Sequence, residues 1–169
     1  MSESLFQLLE HNAWANHNLF EACEGLSDAQ LDATAPGTFG SIRSTLMHIV
    51  GAQERMAAAL AGTPVEVILE HGPYPGLAEL RDSARTSGET LVGLAARADT
   101  GATATTTWRG EAFTLPVWVL LSQAIIHATE HRTQVSAIDT QQGIEAPPLD
   151  VWTYHEDRFN GDWSQLWAG

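Results

Sequence analysis

The sequence of 169 residues contains one cysteine and no lysine. A single cysteine, Cys23, excludes a disulfide within the chain, so the fold must be stable without a covalent cross-link. This cysteine usage fits a reducing compartment. We expect Cys23 to fill a small space in the core, because free cysteine is among the most buried residue types.

Positive charge is scarce. Lys+Arg total 8 against 21 Asp+Glu, which gives a formal net charge of -13 and a pI near 4.7. The basic residues are all arginine and are scattered along the chain. Because phosphate backbones and anionic lipid surfaces attract clustered positive charge, this composition argues against nucleic acid and against a membrane as the main partner.

Long hydrophobic runs are also missing. No stretch approaches the about 18 uninterrupted apolar residues that suggest a membrane span, and the first residues carry no leader of signal-peptide type. We therefore expect a soluble, cytoplasmic protein. Two catalytic patterns are absent as well, since the sequence has no glycine-rich phosphate loop and no nucleophile elbow.

The length fits one domain, residues 1–169, and a chain of this size buries roughly 70% of its surface on folding. Apolar residues recur at helical spacing in four segments, which predicts an all-α fold with helices at about 4–24, 42–61, 77–98 and 116–138. Ser41 is a good N-cap for the second of these helices, and Gly62 is a good stop. Ser27 and Gln30 predict a short capped turn between the first two.

Residues 100–115 differ in composition from the helical segments. Threonine and aromatic residues lie on either side of Gly110, a pattern typical of a short β-hairpin or an extended crossover. The segment could be a lid over a site, but we favour a connection that lets two helices run parallel. Beyond Gly143, the Pro147-Pro148 pair and several aromatic residues predict an extended tail, residues 144–169, that packs on the bundle.

Two histidines four residues apart, His127 and His131, lie within the fourth predicted helix. Residues at i and i+4 project from one side of a helix, and one turn rises about 5.4 Å, so both imidazoles can reach one metal ion. With Glu130 they also match the H-x-x-E-H pattern of a metallopeptidase whose glutamate is the general base. The residues after His131 offer no evident third ligand on a helix, so we favour a surface or ion-pair role for Glu130.

The other histidines are weaker candidates by spacing alone. His48 lies beside the apolar stripe of the second helix, where a histidine is more often a boundary residue than a ligand. His11 and His17 are six residues apart on the first helix and therefore lie on different faces. His155 could approach a site only if the tail folds back.

Three stretches together resemble the DinB-like (YfiT-like) metal-dependent four-helix proteins. They are residues 11–16 (HNAWAN), 41–49 (SIRSTLMHI) and 127–134 (HATEHRTQ), the last followed by Gly143 and Pro147-Pro148. The resemblance implies an up-up-down-down four-helix bundle with a long crossover, often homodimeric. It also implies that His48, His127 and His131 bind one divalent ion such as zinc or nickel. The chain departs from the family at His11, commonly a tyrosine, and at Thr133, often a glycine.

Three imidazole ligands leave a coordination position open for water or substrate, as in catalytic rather than structural sites. Characterised relatives include thiol-dependent S-transferases and isomerases. The resemblance therefore implies an enzyme whose metal activates a low-molecular-weight thiol for transfer to an electrophilic small molecule. A hydrolase that uses a metal-bound hydroxide and a non-catalytic metal-binding module remain open alternatives.

Four further residues are candidate neighbours of such a site. Arg132 and Gln134 follow the histidine pair and could hold the ligands in place, because metal-bound histidines usually donate their other ring N–H to an acceptor. Arg132 fits equally well as a surface or ion-paired arginine. Gln53 and Glu54, about one turn beyond His48, could line the mouth of the site.

Overall fold

Long helices dominate the structure, a computed structural model that describes residues 3–64, 69–108 and 110–159. The helices are α1 (Glu3–Ala22), α2 (Asp28–Leu31), α3 (Ile42–Ala61), α4 (Leu77–Arg97), α5 (Val117–Gln141) and α6 (Val151–Phe159). The strands are β1 (Thr103–Trp108) and β2 (Glu111–Pro116). Within these described ranges, no helix combines the length and the apolar character needed to cross a membrane.

The ends of α2 and α3 confirm the capping predictions. The Ser27 side chain accepts from the backbone of Gln30, and the Gln30 side chain accepts from the backbone of Ser27, which completes a capping box. At α3, the Ser41 hydroxyl accepts from the backbone N–H of Ser44 at 3.2 Å. Gly62 ends the helix with a φ of 67°, a left-handed conformation that glycine adopts at little cost.

The four long helices pack pairwise around two apolar clusters. Helices α1 and α3 each contact both α4 and α5. One cluster includes Phe20, Leu46 and Val135, and the other includes Leu9 and Leu121. Full burial of one such side chain is worth about 1.5–3 kcal/mol. These clusters fix α3 against α5, which is the pair of helices that carries the candidate metal ligands.

The segment between α4 and α5 forms a β-hairpin, the first of the two alternatives that the sequence left open. Strands β1 and β2 are antiparallel, with Thr103 opposite Pro116, and Gly110 in the turn has a φ of 83°. The hairpin contacts α3 and α5. His127 lies ten residues beyond the start of α5 at Val117, or about 15 Å along the helix. This position supports a connection between helices rather than a lid over the histidines.

The prediction of an extended tail is wrong for Val151–Phe159, which form α6. The Asp150 carboxylate accepts from the backbone N–H groups of Trp152 at 2.8 Å and Thr153 at 3.1 Å, so it satisfies free donors at the helix start. Helix α6 packs on α1, where Trp14 donates to Asp157 at 2.7 Å. Tail residues 160–169, with Trp163 and Trp167, lie outside the described residues.

Candidate metal centre

His48 on α3 and His127 and His131 on α5 converge between the two helices. One ring nitrogen from each lies within 4.8 Å of the other two, and Nε2 of His48 is 3.0 Å from Nε2 of His127. In a tetrahedral zinc site with Zn–N bonds of about 2.0–2.1 Å, ligand nitrogens are about 3.3 Å apart. The three predicted ligands therefore come together, and their donor set fits one divalent ion.

Burial favours the neutral form of His127 and His131, which is the form that binds metals. His48 and His131 are buried, and His127 is half-buried. Desolvation lowers the pKa of His127 to about 4, and the neighbouring His131 and His48 add to this effect. Desolvation also lowers the pKa of His131, against an opposing hydrogen bond to Gln134. A neutral ring needs to release no proton before its free nitrogen coordinates an ion.

Glu70, which the sequence analysis missed, orients His48. It lies on a short 3₁₀ turn, Leu69–His71, and its Oε1 is 2.5 Å from Nδ1 of His48. Its other oxygen accepts from Nη1 of Arg55 at 2.5 Å. Burial alone would raise the pKa of Glu70, but the hydrogen bonds from Arg55 and His48 lower it overall. With Nδ1 held by this carboxylate, Nε2 of His48 is directed towards the other two histidines.

Gln134, a predicted neighbour of the site, orients His131 in the same way. Its Oε1 accepts from Nδ1 of His131 at 3.1 Å and from the backbone N–H of Phe39 at 2.9 Å. The Phe39 ring stacks on His48 with centroids 4.2 Å apart and meets the edge of His131 at 5.3 Å. The loop before α3 thus supplies one wall of the centre.

The prediction that Gln53 and Glu54 line the mouth of the site is wrong. Gln53 is buried between α1 and α4, where it accepts from Asn16 and donates to the carbonyl oxygen of Ala84. Glu54 accepts from the Ser83 hydroxyl at 2.6 Å on the side of α3 that faces α4. Both residues follow His48 closely in sequence, but helical rotation turns them towards a different neighbour.

Arg132 is also directed away from the histidines. Its Nη1 donates to Oδ1 of Asn12 at 2.7 Å and to Oδ1 of Asn16 at 2.6 Å, which ties α5 to α1. Its Nη2 donates to the Thr129 hydroxyl at 2.8 Å. The arginine is therefore buried, and within the described residues it donates to neutral side chains instead of forming an ion pair.

The two histidines of α1 have separate contacts. His11 donates from Nε2 to the carbonyl oxygen of Leu149 at 2.9 Å, and burial lowers its pKa. His17 lies 3.2 Å from Glu21, one turn further along the surface of the same helix. Neither belongs to the group of three ring nitrogens.

Glu130 and His155 do not complete a peptidase-type site in the described part of the chain. The Glu130 side chain is exposed on α5, outside the three-histidine group. His155 is exposed on α6, where its ring packs 5.3 Å from that of Phe159. The arrangement therefore favours three imidazole ligands over the H-x-x-E-H interpretation.

Known proteins share sequence features and a helical fold with this chain. The sequence model of the DinB family matches residues 1–162. A solved structure of a DinB-like protein from Bacillus cereus ATCC 10987 aligns with a TM-score of 0.62 at 18% sequence identity, covering 86% of this chain and 95% of that one. No curated protein matches the sequence. The structural likeness, at this identity, shows a common fold.

Proposed function

The chain belongs to the DinB family, and we propose that it is a divalent-metal-dependent enzyme that activates a low-molecular-weight thiol for transfer to an electrophilic small molecule. The convergence of His48, His127 and His131 carries the proposal. Among the described residues, the group of side chains that could hold the ion consists of these three histidines, without a carboxylate or a cysteine. Three protein ligands leave room for a substrate atom in the coordination shell.

The chemistry of the site follows from this donor set. Imidazole suits both zinc and nickel, and either ion, when bound, would lower the pKa of a coordinating thiol so that the thiolate forms at neutral pH. Glu70 and Gln134 hold two of the rings in a fixed orientation, which reduces the reorganisation needed to bind the ion. Phe39 shields one side of these rings from water.

The proposed reaction is a substitution or addition at carbon. The thiol proton is released to solvent, and the sulfur lone pair forms a bond to the electrophilic carbon. In a substitution, the leaving group departs with its bonding electrons; in an addition, the product takes up a proton. The role of the described centre in this reaction is to bind and orient the thiol. Its polar side chains, Glu70 and Gln134, are already hydrogen-bonded to His48 and His131.

The same proposal includes the order of the helices, the cellular location and the oligomeric state. We propose an up-up-down-down order for α1, α3, α4 and α5 in one domain, residues 1–169, with the hairpin in the crossover, and a cytoplasmic homodimer as the working form. The packing of α1 and α3 against α4 and α5 supports this order, since neighbouring helices in such bundles run antiparallel. Light scattering of the full chain tests the dimer.

The test is turnover of monochlorobimane by the full chain with a panel of low-molecular-weight thiols. We expect one thiol to accelerate loss of the electrophile, a chelator to abolish the acceleration, and zinc or nickel to restore it. If no thiol gives a chelator-sensitive rate, the transferase proposal fails. Chelator-sensitive ester hydrolysis without any thiol would instead indicate a hydrolase, and bound metal without either activity would indicate a non-catalytic module.

A further inference from the structure

A separate cavity of about 490 Å³ lies on the opposite side of α5 from the histidines. It is bounded by α1, α5 and the segment before α6, and its lining includes His11, Arg132, Leu8, Ile125, Leu149 and Val151. At 100° per residue, Ile125 and Arg132 project about 140–160° around α5 from His127. The cavity is therefore independent of the candidate metal centre.

Arg132 provides a buried positive charge at this cavity. Only 3% of the residue is exposed, yet it makes no ion pair within the described ranges, although the chain contains 21 acidic residues. Its acceptors are the neutral side chains of Asn12, Asn16 and Thr129. An arginine guanidinium stays charged in proteins, so this group carries a positive charge at neutral pH. A buried charge is costly unless another charge compensates it.

The guanidinium also has unused donors. Of its five N–H groups, two on Nη1 and one on Nη2 donate to the three neutral acceptors. The Nε–H and the second Nη2–H have no acceptor in the described part of the chain. Two N–H donors on one planar group match the two oxygens of a carboxylate.

The two other titratable groups in the cavity lining, His11 and Asp150, already have hydrogen-bond partners. His11 donates to the carbonyl oxygen of Leu149. Asp150, the acidic residue in the lining, uses its carboxylate to accept from Trp152 and Thr153 at the start of α6. These contacts leave Arg132 as the group able to bind a ligand by charge, and the lining residues Leu8, Ile125, Leu149 and Val151 provide apolar walls.

We propose that this cavity binds a small organic anion with one carboxylate and an apolar tail. The carboxylate accepts from the two unused N–H groups of Arg132 and supplies the missing counter-charge. The tail lies against Ile125 and Val151. Leu8, which is 40% exposed, marks the outer edge of the cavity.

Calorimetry on the full chain with hexanoate, hexanol and acetate tests this proposal. The carboxylate and the apolar tail should both contribute to affinity, and hexanol lacks the first while acetate lacks the second. We therefore expect hexanoate to bind at least about tenfold more tightly than hexanol or acetate. Equal affinity for hexanoate and hexanol would overturn the proposal, because the cavity would then not select for charge. Absence of hexanoate binding would overturn it as well.

Matched variants locate the binding site. Leu8→Trp should fill the edge of the cavity and weaken hexanoate binding at least about tenfold. Ile126→Trp introduces the same ring at an exposed position of α5 outside the cavity lining and should leave binding unchanged. Arg132→Met should remove the preference for hexanoate over hexanol, and if that variant does not fold, the Leu8→Trp result decides.

A carboxylate could also bind a metal ion, so the metal centre needs its own control. His127→Ala should retain hexanoate binding, because this cavity does not include the histidines. Loss of binding in His127→Ala combined with full binding in Leu8→Trp would place the ligand at the metal centre and overturn the proposal. Neither result depends on whether the chain transfers thiols.

Discussion

Oε1 of Glu70 lies 2.5 Å from Nδ1 of His48, across a separation of 22 residues. A carboxylate from a loop thereby orients the one candidate ligand that α3 contributes, and Arg55 holds the carboxylate from its other side. Such carboxylate–histidine pairs fix the ring orientation of a metal ligand and raise its basicity. Four residues outside the group of candidate ligands therefore surround the histidines, directly or through one another: Glu70, Arg55, Gln134 and Phe39.

Glu70→Gln should weaken zinc binding by about 10–100-fold, the usual effect of removing the partner of a metal-bound histidine. The amide keeps the shape of the side chain but loses the charge that pairs with Arg55. Competition with a chromogenic chelator measures the affinity. Glu24→Gln is the matched control, because Glu24 also pairs with an arginine, Arg81, but lies at the surface. Equal affinities in Glu70→Gln and the parent chain would contradict the assigned role.

Gln134→Leu should lower both the stability of the protein and its affinity for the metal ion. The substitution removes the acceptor of two hydrogen bonds, from His131 and from the backbone of Phe39, each worth about 0.5–1.5 kcal/mol. Urea unfolding of the metal-free chain measures the first effect, and chelator competition measures the second. Gln123→Leu makes the same change at an exposed position of α5. If the two variants behave alike, Gln134 does not hold the centre.

The parts of the site that follow from local sequence were predictable. The i, i+4 spacing of His127 and His131 puts both rings on one face of a helix whatever it packs against. The bounds of α3 follow from Ser41 and Gly62, whose capping and left-handed conformations are local properties. His48 entered the ligand set through the family resemblance, because spacing within α3 cannot show that this face meets α5.

The parts that depend on distant contacts were not predictable. Glu70 lies in a segment rich in glycine and proline, where no periodicity indicates which way a side chain projects. Gln53 and Glu54 were assigned to the wrong neighbour, since the packing of α3 against α4 is a tertiary property. Helix α6 was missed because Pro147-Pro148 indicated extended structure, whereas Asp150 immediately afterwards caps a new helix.

Asp139→Asn should stabilise the protein at neutral pH. Asp139 is 3% exposed, its Oδ1 has no hydrogen-bond partner in the described structure, and burial raises its pKa above 3.8. The folded state therefore binds a proton more readily than the unfolded state. The buried, charged Asp139 carboxylate therefore lowers the free energy of unfolding. This loss of stability is complete above the pKa of Asp139 in the folded state, and it disappears as the pH falls towards 3.8.

Thermal unfolding across this pH range measures the effect. We expect the free energy of unfolding of Asp139→Asn to exceed that of the parent chain by about 1 kcal/mol or more at neutral pH, because burying a neutral amide costs less than burying a carboxylate. The difference should shrink steadily on acidification. Asp82→Asn, at an exposed position of α4, is the control. A constant difference at every pH would show that Asp139 does not titrate as described.

Cys23 should not react with a thiol reagent such as DTNB in the native protein. The residue is 1% exposed, and burial raises the pKa of its thiol to about 12, while the thiolate is the reactive form. One thiol per chain should react only after unfolding in guanidinium. Cys23→Ala should accordingly keep any thiol-transfer activity. Rapid reaction of the folded protein would contradict the buried position.

Metal content of the full chain tests the central claim most directly. Elemental analysis after loading with zinc and removal of excess ion should find one equivalent per chain in the parent protein. His48→Ala, His127→Ala and His131→Ala should each lose it, whereas His17→Ala, which changes an exposed histidine of α1, should retain it. Retention of one equivalent by His127→Ala, in a folded protein, would contradict the three-histidine centre.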